Sequence, residues 1–177
     1  MSNDLTQNKF LDDAERQLLE RKIKTFMDRD HDRYLPVLVA MRTGARRSEV
    51  QLLKASSINW ASKTITIMPT KKSKSRELPL DEPTLEALKS YIQRAHLESG
   101  DLLFDLNHSH FNRIWKEIKP CKKSFHSLRH TFAINVFRKT KDIQKVMKAL
   151  GHRSILSTMV YADYAYTTEE MKDIIFW

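Results

Sequence analysis

The β-prone segments of this chain are confined to one stretch, where Ile58 to Trp60, Thr64 to Met68 and Glu77 to Leu80 follow one another at short range. Ala61-Ser62-Lys63 separates the first two, and a basic stretch from Lys71 to Arg76 precedes the third. Connections this short join antiparallel neighbours, because a parallel crossover consumes a dozen or more residues. Three short strands cannot bury themselves, so the rest of the chain must cover them. Elsewhere apolar residues recur at helical spacing. The expected fold is therefore α+β, mainly α-helical with one small three-stranded antiparallel sheet.

Residues 1 to 9 read as a frayed polar start. From Phe10, the positions Leu11, Ala14, Leu18, Ile23, Phe26 and Met27 mark an amphipathic first helix, with Asp12 and Asp13 placing negative charge at its favourable end. Tyr34 to Met41 reads as a largely buried second helix, which Thr43-Gly44 breaks before Ser48 to Lys54 resumes. After the strands, Leu85, Leu88, Ile92 and Ala95 give a helix ending at Ser99-Gly100, where the glycine would supply a left-handed cap. Phe111 to Ile118, Leu128 to Arg138 and Ile143 to Leu150 form three more, broken by Pro120, Lys139-Thr140-Lys141 and Gly151. A helix around Tyr161 and an amphipathic tail helix from Thr168 to Trp177 follow.

A chain of 177 residues, 41% of them hydrophobic, can bury one core and is short for two, so residues 1 to 177 are expected to form a single domain. Lysine and arginine number 31 against 22 acidic residues, giving a formal charge of +9 and a pI near 9.7. That balance favours a polyanionic partner. The single cysteine, Cys121, has no partner for an internal disulfide, and no Cys/His grouping has zinc-ligand spacing, so no metal is expected. No apolar run reaches membrane-spanning length, and the start Met-Ser-Asn-Asp-Leu-Thr-Gln lacks a signal peptide's apolar stretch. A soluble, cytoplasmic protein with no membrane partner is the expectation.

Gly44 and Gly151 each stand within two residues of a basic side chain at a helix break, which displays Arg46 and His152 where side chains from different elements can converge. Arg47 stands beside Arg46, and Glu49 could pair with either. His126 and Arg129, three residues apart, share a face if both are helical. Lys71, Lys72, Lys74 and Arg76 form a charge run suited to meeting a nucleic-acid backbone. Tyr161, Tyr164 and Tyr166 lie close together, and chemistry alone does not choose among them.

Thr43-Gly-Ala-Arg46-Arg-Ser-Glu49, Lys71 eight residues before Pro79, His126-Ser-Leu-Arg129-His-Thr, Leu150-Gly-His152, and Tyr161 nine residues after His152 occur in one order. The order resembles that of the tyrosine recombinase, or phage integrase, family, over roughly residues 10 to 170. The resemblance implies the catalytic-domain fold of that family. It also implies a site-specific recombinase that cleaves and rejoins double-stranded DNA through a 3′-phosphotyrosyl intermediate, with no cofactor. It selects Arg46 over Arg47, Lys71 over Lys72, and Tyr161 as the nucleophile.

In that scheme Arg46 and Arg129 present planar cations to the non-bridging phosphate oxygens, where charge accumulates during in-line displacement. His126 and His152 hydrogen-bond the scissile phosphate, with His126 assisting removal of the tyrosine proton. Lys71 protonates the departing 5′-oxygen. Lys72, Lys74 and Arg76 meet the DNA backbone, and Glu49 supports the arginines. His130, one residue past Arg129, is expected to point elsewhere as a satisfied, half-buried supporting residue.

Members of the family usually carry a helical core-binding domain ahead of this one, and the 45 residues before Arg46 are too few to hold it, so no separate one is expected. A homo-tetramer on DNA and a monomer without it are the expected assemblies. The tail from Met171 to Trp177 either passes to a neighbouring protomer or packs on its own core. Two alternatives share the chemistry or the charge: a type IB topoisomerase that reseals the same strand, and a noncatalytic DNA-binding regulator.

Overall fold

The computed structural model describes residues 6, 9–27, 32–70, 73–164, 166 and 168–176, so most of the expected polar start lies outside the described residues. In chain order the elements are α1 (Asp13–Met27), α2 (Leu35–Thr43), α3 (Arg47–Val50), β1 (Ile58–Asn59), β2 (Thr64–Ile67), β3 (Arg76–Pro79), α4 (Glu82–Arg94), α5 (His108–Ile118), α6 (Ser127–Thr140), α7 (Ile143–Leu150), α8 (Leu156–Met159) and α9 (Thr168–Ile175). The expected mainly helical α+β fold is the observed one. The sheet is a meander, β1-β2-β3, antiparallel throughout, with Ile58 opposite Ile65 and Ile67 opposite Arg76. Alternation along β2 sends Ile65 and Ile67 into the core and leaves Thr64 and Thr66 half-buried on the other face.

Two apolar clusters share α6. The larger joins α2, the sheet, α4 and α5 through residues such as Val37, Ile65, Leu88 and Phe111, and takes Leu128 from α6. The smaller joins Phe10, Val146, Leu150 and Tyr161 to Ala133, Ile134 and Phe137 of α6. An α6 buried on both sides is what holds the two halves of the site in register.

Side chains close the starts of α1, α4, α5 and α7. Asp12 and Glu15 form a reciprocal box at α1, their side chains accepting each other's backbone N–H at 2.8 and 3.0 Å. The box starts α1 at Asp13, leaving Phe10 and Leu11 buried ahead of it. The expected Leu11 and Ile23 are buried, but Leu18, expected with them, is 38% exposed and Leu19 is buried in its place. Nor is Gly100 a left-handed cap. α4 stops at Arg94, His96 takes the left-handed conformation at φ 52°, and Gly100 lies in the turn beyond. Tyr161, expected within a helix, occupies the turn after α8.

Candidate active site

The arginine side of the site begins at the end of α2. Gly44 takes φ 61°, and a Cβ there would sit 2.5 Å from Cδ1 of Phe132 in α6, so only glycine turns the chain this close to α6. The turn delivers Arg46 in an extended conformation just before α3, with its backbone N–H donating to Glu49 Oε2 at 2.8 Å and its Nη1 to Oε1 at 3.1 Å. Glu49 is fully buried and gathers more than this one arginine. Arg76 donates to it twice, at 2.8 and 3.3 Å, Ser73 Oγ donates at 3.1 Å, and Arg129 Nη1 lies 3.7 Å away.

Arg129, buried in α6, donates to the carbonyl oxygens of Gly44 and Leu150, each at 2.7 Å. One guanidinium thus ties together the two helix ends that the glycines terminate. Burial by itself would raise the Glu49 carboxyl, but the Arg76 hydrogen bonds, the Arg46 N–H and the charge of Arg129 hold it at about 2. Burial and the nearby Arg46 bring Arg129 down to about 9, against the pull of Glu49, which leaves it charged at neutral pH.

The opposite wall is neutral. Gly151 ends α7 at φ 66°, and a Cβ on it would lie 2.6 Å from the Lys74 carbonyl. Its own carbonyl accepts the Lys74 N–H at 2.8 Å, and Ser73 pairs with His152 across the same junction, so the β2–β3 loop is laid on the end of α7. His152 Nδ1 lies 2.9 Å from Thr158 Oγ1. Burial, then the charges of Arg129, Arg46 and Arg76, lower His152 to about 4. His126 heads α6 and is lowered as well, by desolvation in the cleft and then by Arg129 and Arg46.

Tyr161 is 3% exposed, wedged into the smaller apolar cluster, with its hydroxyl 3.0 Å from His130 Nδ1. Burial raises its pKa in spite of Arg129 and Arg46. His130 is held far lower than usual, at about 3, by burial and then by His126, Arg129, Lys9 and His152. Arg46, His126, Arg129, His130, His152 and Tyr161 line one cleft of about 870 Å³, to which Lys9, Lys122 and Lys123 add positive charge. Among the described residues no group of three or more His, Cys, Asp or Glu stands together to hold a metal ion, and no helix is long and apolar enough to cross a membrane.

Residues 9–168 match the profile of the phage integrase family. The chain belongs to this family. Among integrase-family relatives it is 27% identical to the tyrosine recombinase XerA of Pyrococcus furiosus over 176 residues, covering 90% of this chain and 60% of XerA. It is 32% identical to the integrase of Escherichia phage P2 over 149 residues, covering 82% of this chain and 41% of that integrase. The chain thus spans about half the length of these curated relatives. The solved structure of the catalytic domain of bacteriophage HP1 integrase superposes with a TM-score of 0.66 at 28% identity, covering 96% of this chain and 95% of that one.

Within this integrase-family site, two expected placements change. Arg76, expected to meet a DNA backbone, is 5% exposed, because the pleat of β3 turns it inward with Leu78, where Glu49 accepts its charge. His130, expected to point elsewhere, reaches Tyr161: one residue past Arg129 on α6, it faces the tyrosine wall while Arg129 faces the arginine wall. Lys74 is exposed at the loop, as a backbone-contacting residue would be, and Lys71 and Lys72 lie outside the described residues. Of the other tyrosines, Tyr164 packs edge-on against Phe10 with centroids 4.9 Å apart, and Tyr166 lies under Lys141. Ser73 went unnoticed in the sequence, and the bond between Thr158 and His152 was not foreseen. Only the inward alternation of β3 could have flagged Arg76, and no local pattern pairs Thr158 with His152.

Proposed function

We propose that this chain carries the strand-cleaving and strand-joining centre of a site-specific DNA recombinase that acts on double-stranded DNA through a 3′-phosphotyrosyl intermediate. The observation that carries the proposal is the meeting, in one cleft, of two guanidinium groups organised by a buried carboxylate with a tyrosine hydroxyl and three histidines. The names of its relatives, a tyrosine recombinase and a phage integrase, support the same activity.

A phosphodiester seated in the cleft would place its non-bridging oxygens against half-buried Arg46 and the remaining N–H groups of Arg129, pre-oriented where negative charge develops. His152, bonded at Nδ1 by Thr158, has its Nε2 left for a phosphate oxygen, and His126 adds a second imidazole. Tyr161 Oη attacks phosphorus, the P–O5′ bond breaks, and Lys71 of the β2–β3 loop gives the departing 5′-oxygen its proton. A 5′-hydroxyl of another strand then attacks the phosphotyrosine and the steps reverse. Lys72 and Lys74 would hold the DNA backbone nearby. Exchange between two duplexes requires four such centres, hence a homo-tetramer on DNA. The end of α9 and the residue after it, where Ile174, Ile175 and Phe176 are exposed, offer a surface for a neighbouring copy.

The test is covalent trapping. A pool of nicked duplexes of randomised sequence is incubated with the protein, and adducts are resolved on a denaturing gel and mapped by peptide sequencing. The expected adduct is on Tyr161, absent in Tyr161→Phe and formed about 10²–10³-fold more slowly in Arg129→Lys, whose ammonium cannot reproduce the planar fork. An adduct on Tyr164 or Tyr166, or none at all, overturns the proposal.

A further inference from the structure

We propose that His130, rather than His126, is the base that takes the phenolic proton from Tyr161, a role that rests on the cleavage chemistry proposed above. The geometry singles it out. His130 Nδ1 lies 3.0 Å from Tyr161 Oη, which is direct hydrogen-bonding range. His152 directs its Nδ1 at Thr158 instead. His126 meets the edge of the His130 ring, centroids 4.7 Å apart, and among the described contacts makes no hydrogen bond to the phenol.

The direction of the hydrogen bond follows from acidity. A phenol is a stronger acid than a neutral imidazole N–H, so Tyr161 donates and His130 accepts at Nδ1 with its own proton on Nε2. The groups facing His130 are Tyr161, His126, Arg129, Lys9 and His152; burial first, then His126, Arg129, Lys9 and His152, keep the ring unprotonated at neutral pH. The same surroundings make it a weak base while the cleft is empty, so the proton stays on Tyr161. A phosphate seated between Arg46 and Arg129 would offset the positive charge that suppresses His130, strengthening the base when substrate is bound.

As the Tyr161 Oη–P bond forms and P–O5′ breaks, the phenolic proton passes to His130 Nδ1, and the 5′-oxygen takes a proton from the loop acid. In the reverse half, the incoming 5′-hydroxyl returns its proton to that acid, and His130 hands its proton back as the phenolate leaves.

His130→Gln keeps a hydrogen-bonding group near the phenol but cannot take up a proton. Duplexes recovered as adducts from the randomised pool are resynthesised with either oxygen or sulfur at the bridging 5′ position, since a thiolate leaves without an acid. The expected result is a loss of about 10²–10⁴-fold in adduct formation on both duplexes at pH 7. The variant's rate should then climb with pH as hydroxide substitutes for the base, a profile that a merely structural role would not give. Cleavage by His130→Gln within about threefold of the parent, rescue by the sulfur duplex, or the hydroxide-dependent profile appearing in His126→Gln instead would each overturn the assignment. A second measurement needs neither variant nor DNA: in the ¹⁵N spectrum of the parent protein at pH 7, His130 Nδ1 should be unprotonated, and a protonated Nδ1 overturns the proposal. A parent that forms no adduct fails the recombinase reading itself, an outcome separate from an active parent indifferent to His130.

Discussion

The arginine wall of the cleft and the tyrosine wall face one phosphate-sized space, yet different forces hold them. On the first, the buried Glu49 carboxylate binds Arg46, Arg76 and Ser73 directly and stands 3.7 Å from Arg129. On the second, Tyr161 is held by apolar packing and one hydrogen bond to His130, and His152 by one bond to Thr158. The groups that must stay charged through a reaction are locked by ion pairs, and those that must exchange protons are kept neutral by burial. The sharpest way to break this comparison is Glu49→Gln. It preserves shape but leaves Arg76 and Arg129 buried without a counter-charge, which should cost about 3–5 kcal/mol. Tyr161→Phe removes one hydrogen bond and should cost about 1–3 kcal/mol. Urea unfolding of the two variants measures both, and equal losses would mean that the walls do not differ.

Acid should take the walls apart in sequence. His130 and His152 sit at about 3 and about 4, below the ordinary 6.5, so the unfolded chain binds protons before the folded one. Their contribution is complete above pH 6.5 and falls away as pH drops from there toward 4 and then 3. Glu49, at about 2 instead of 4.5, contributes stability that is complete above pH 4.5 and is lost as pH falls toward 2, amounting to about 3 kcal/mol in total. Melting temperature followed against pH should therefore begin to decline at 6.5, fall most steeply between 4.5 and 4, where all three groups contribute, and flatten below 3, where only Glu49 remains. His152→Gln should flatten the upper part of the curve and leave the lower part in place. A curve unchanged by that substitution would remove His152 from the acid response.

What could be read in advance was governed by short-range rules. Hairpin separations placed the three strands, and the glycines at 44 and 151 marked the breaks that display Arg46 and His152. The family order of Arg46, His126, Arg129, His152 and Tyr161 pointed to residues that line one cleft. What escaped depended on partners distant in the chain. Arg76 looked like one more solvated cation because its partner Glu49 lies 27 residues earlier, across the core. His130 looked idle because the segment it meets, 31 residues later, has to wrap the correct side of α6. Leu18 was assigned to the core, but the i, i+4 face that α1 buries runs through Leu19 and Ile23, and Leu18 lies about 100° round the helix from Leu19. At Gly100 residue type misled, since His96 had already turned the chain.

The smallest expected effects come from a matched pair of hydroxyl deletions, one on each wall. Ser73 donates to the ionised Glu49 at 3.1 Å, and Thr158 pairs with the neutral His152 at 2.9 Å; both hydroxyls belong to buried residues. A hydrogen bond to a charged group contributes more than one between neutral groups, so Ser73→Ala should cost about 1.5–3 kcal/mol and Thr158→Val about 0.5–1.5 kcal/mol. Function should rank them the other way. Glu49 keeps Arg76 and Arg46 after Ser73 is removed, so the arginines stay aimed at the phosphate. His152 has no second bond described at Nδ1, and without Thr158 its ring is released to rotate and change tautomer. Adduct formation by Thr158→Val should therefore fall further than by Ser73→Ala, although Thr158→Val is the more stable variant. If the two losses of rate instead follow the two losses of stability, the tyrosine wall is only a weaker copy of the arginine wall, with no separate role in orienting groups that exchange protons.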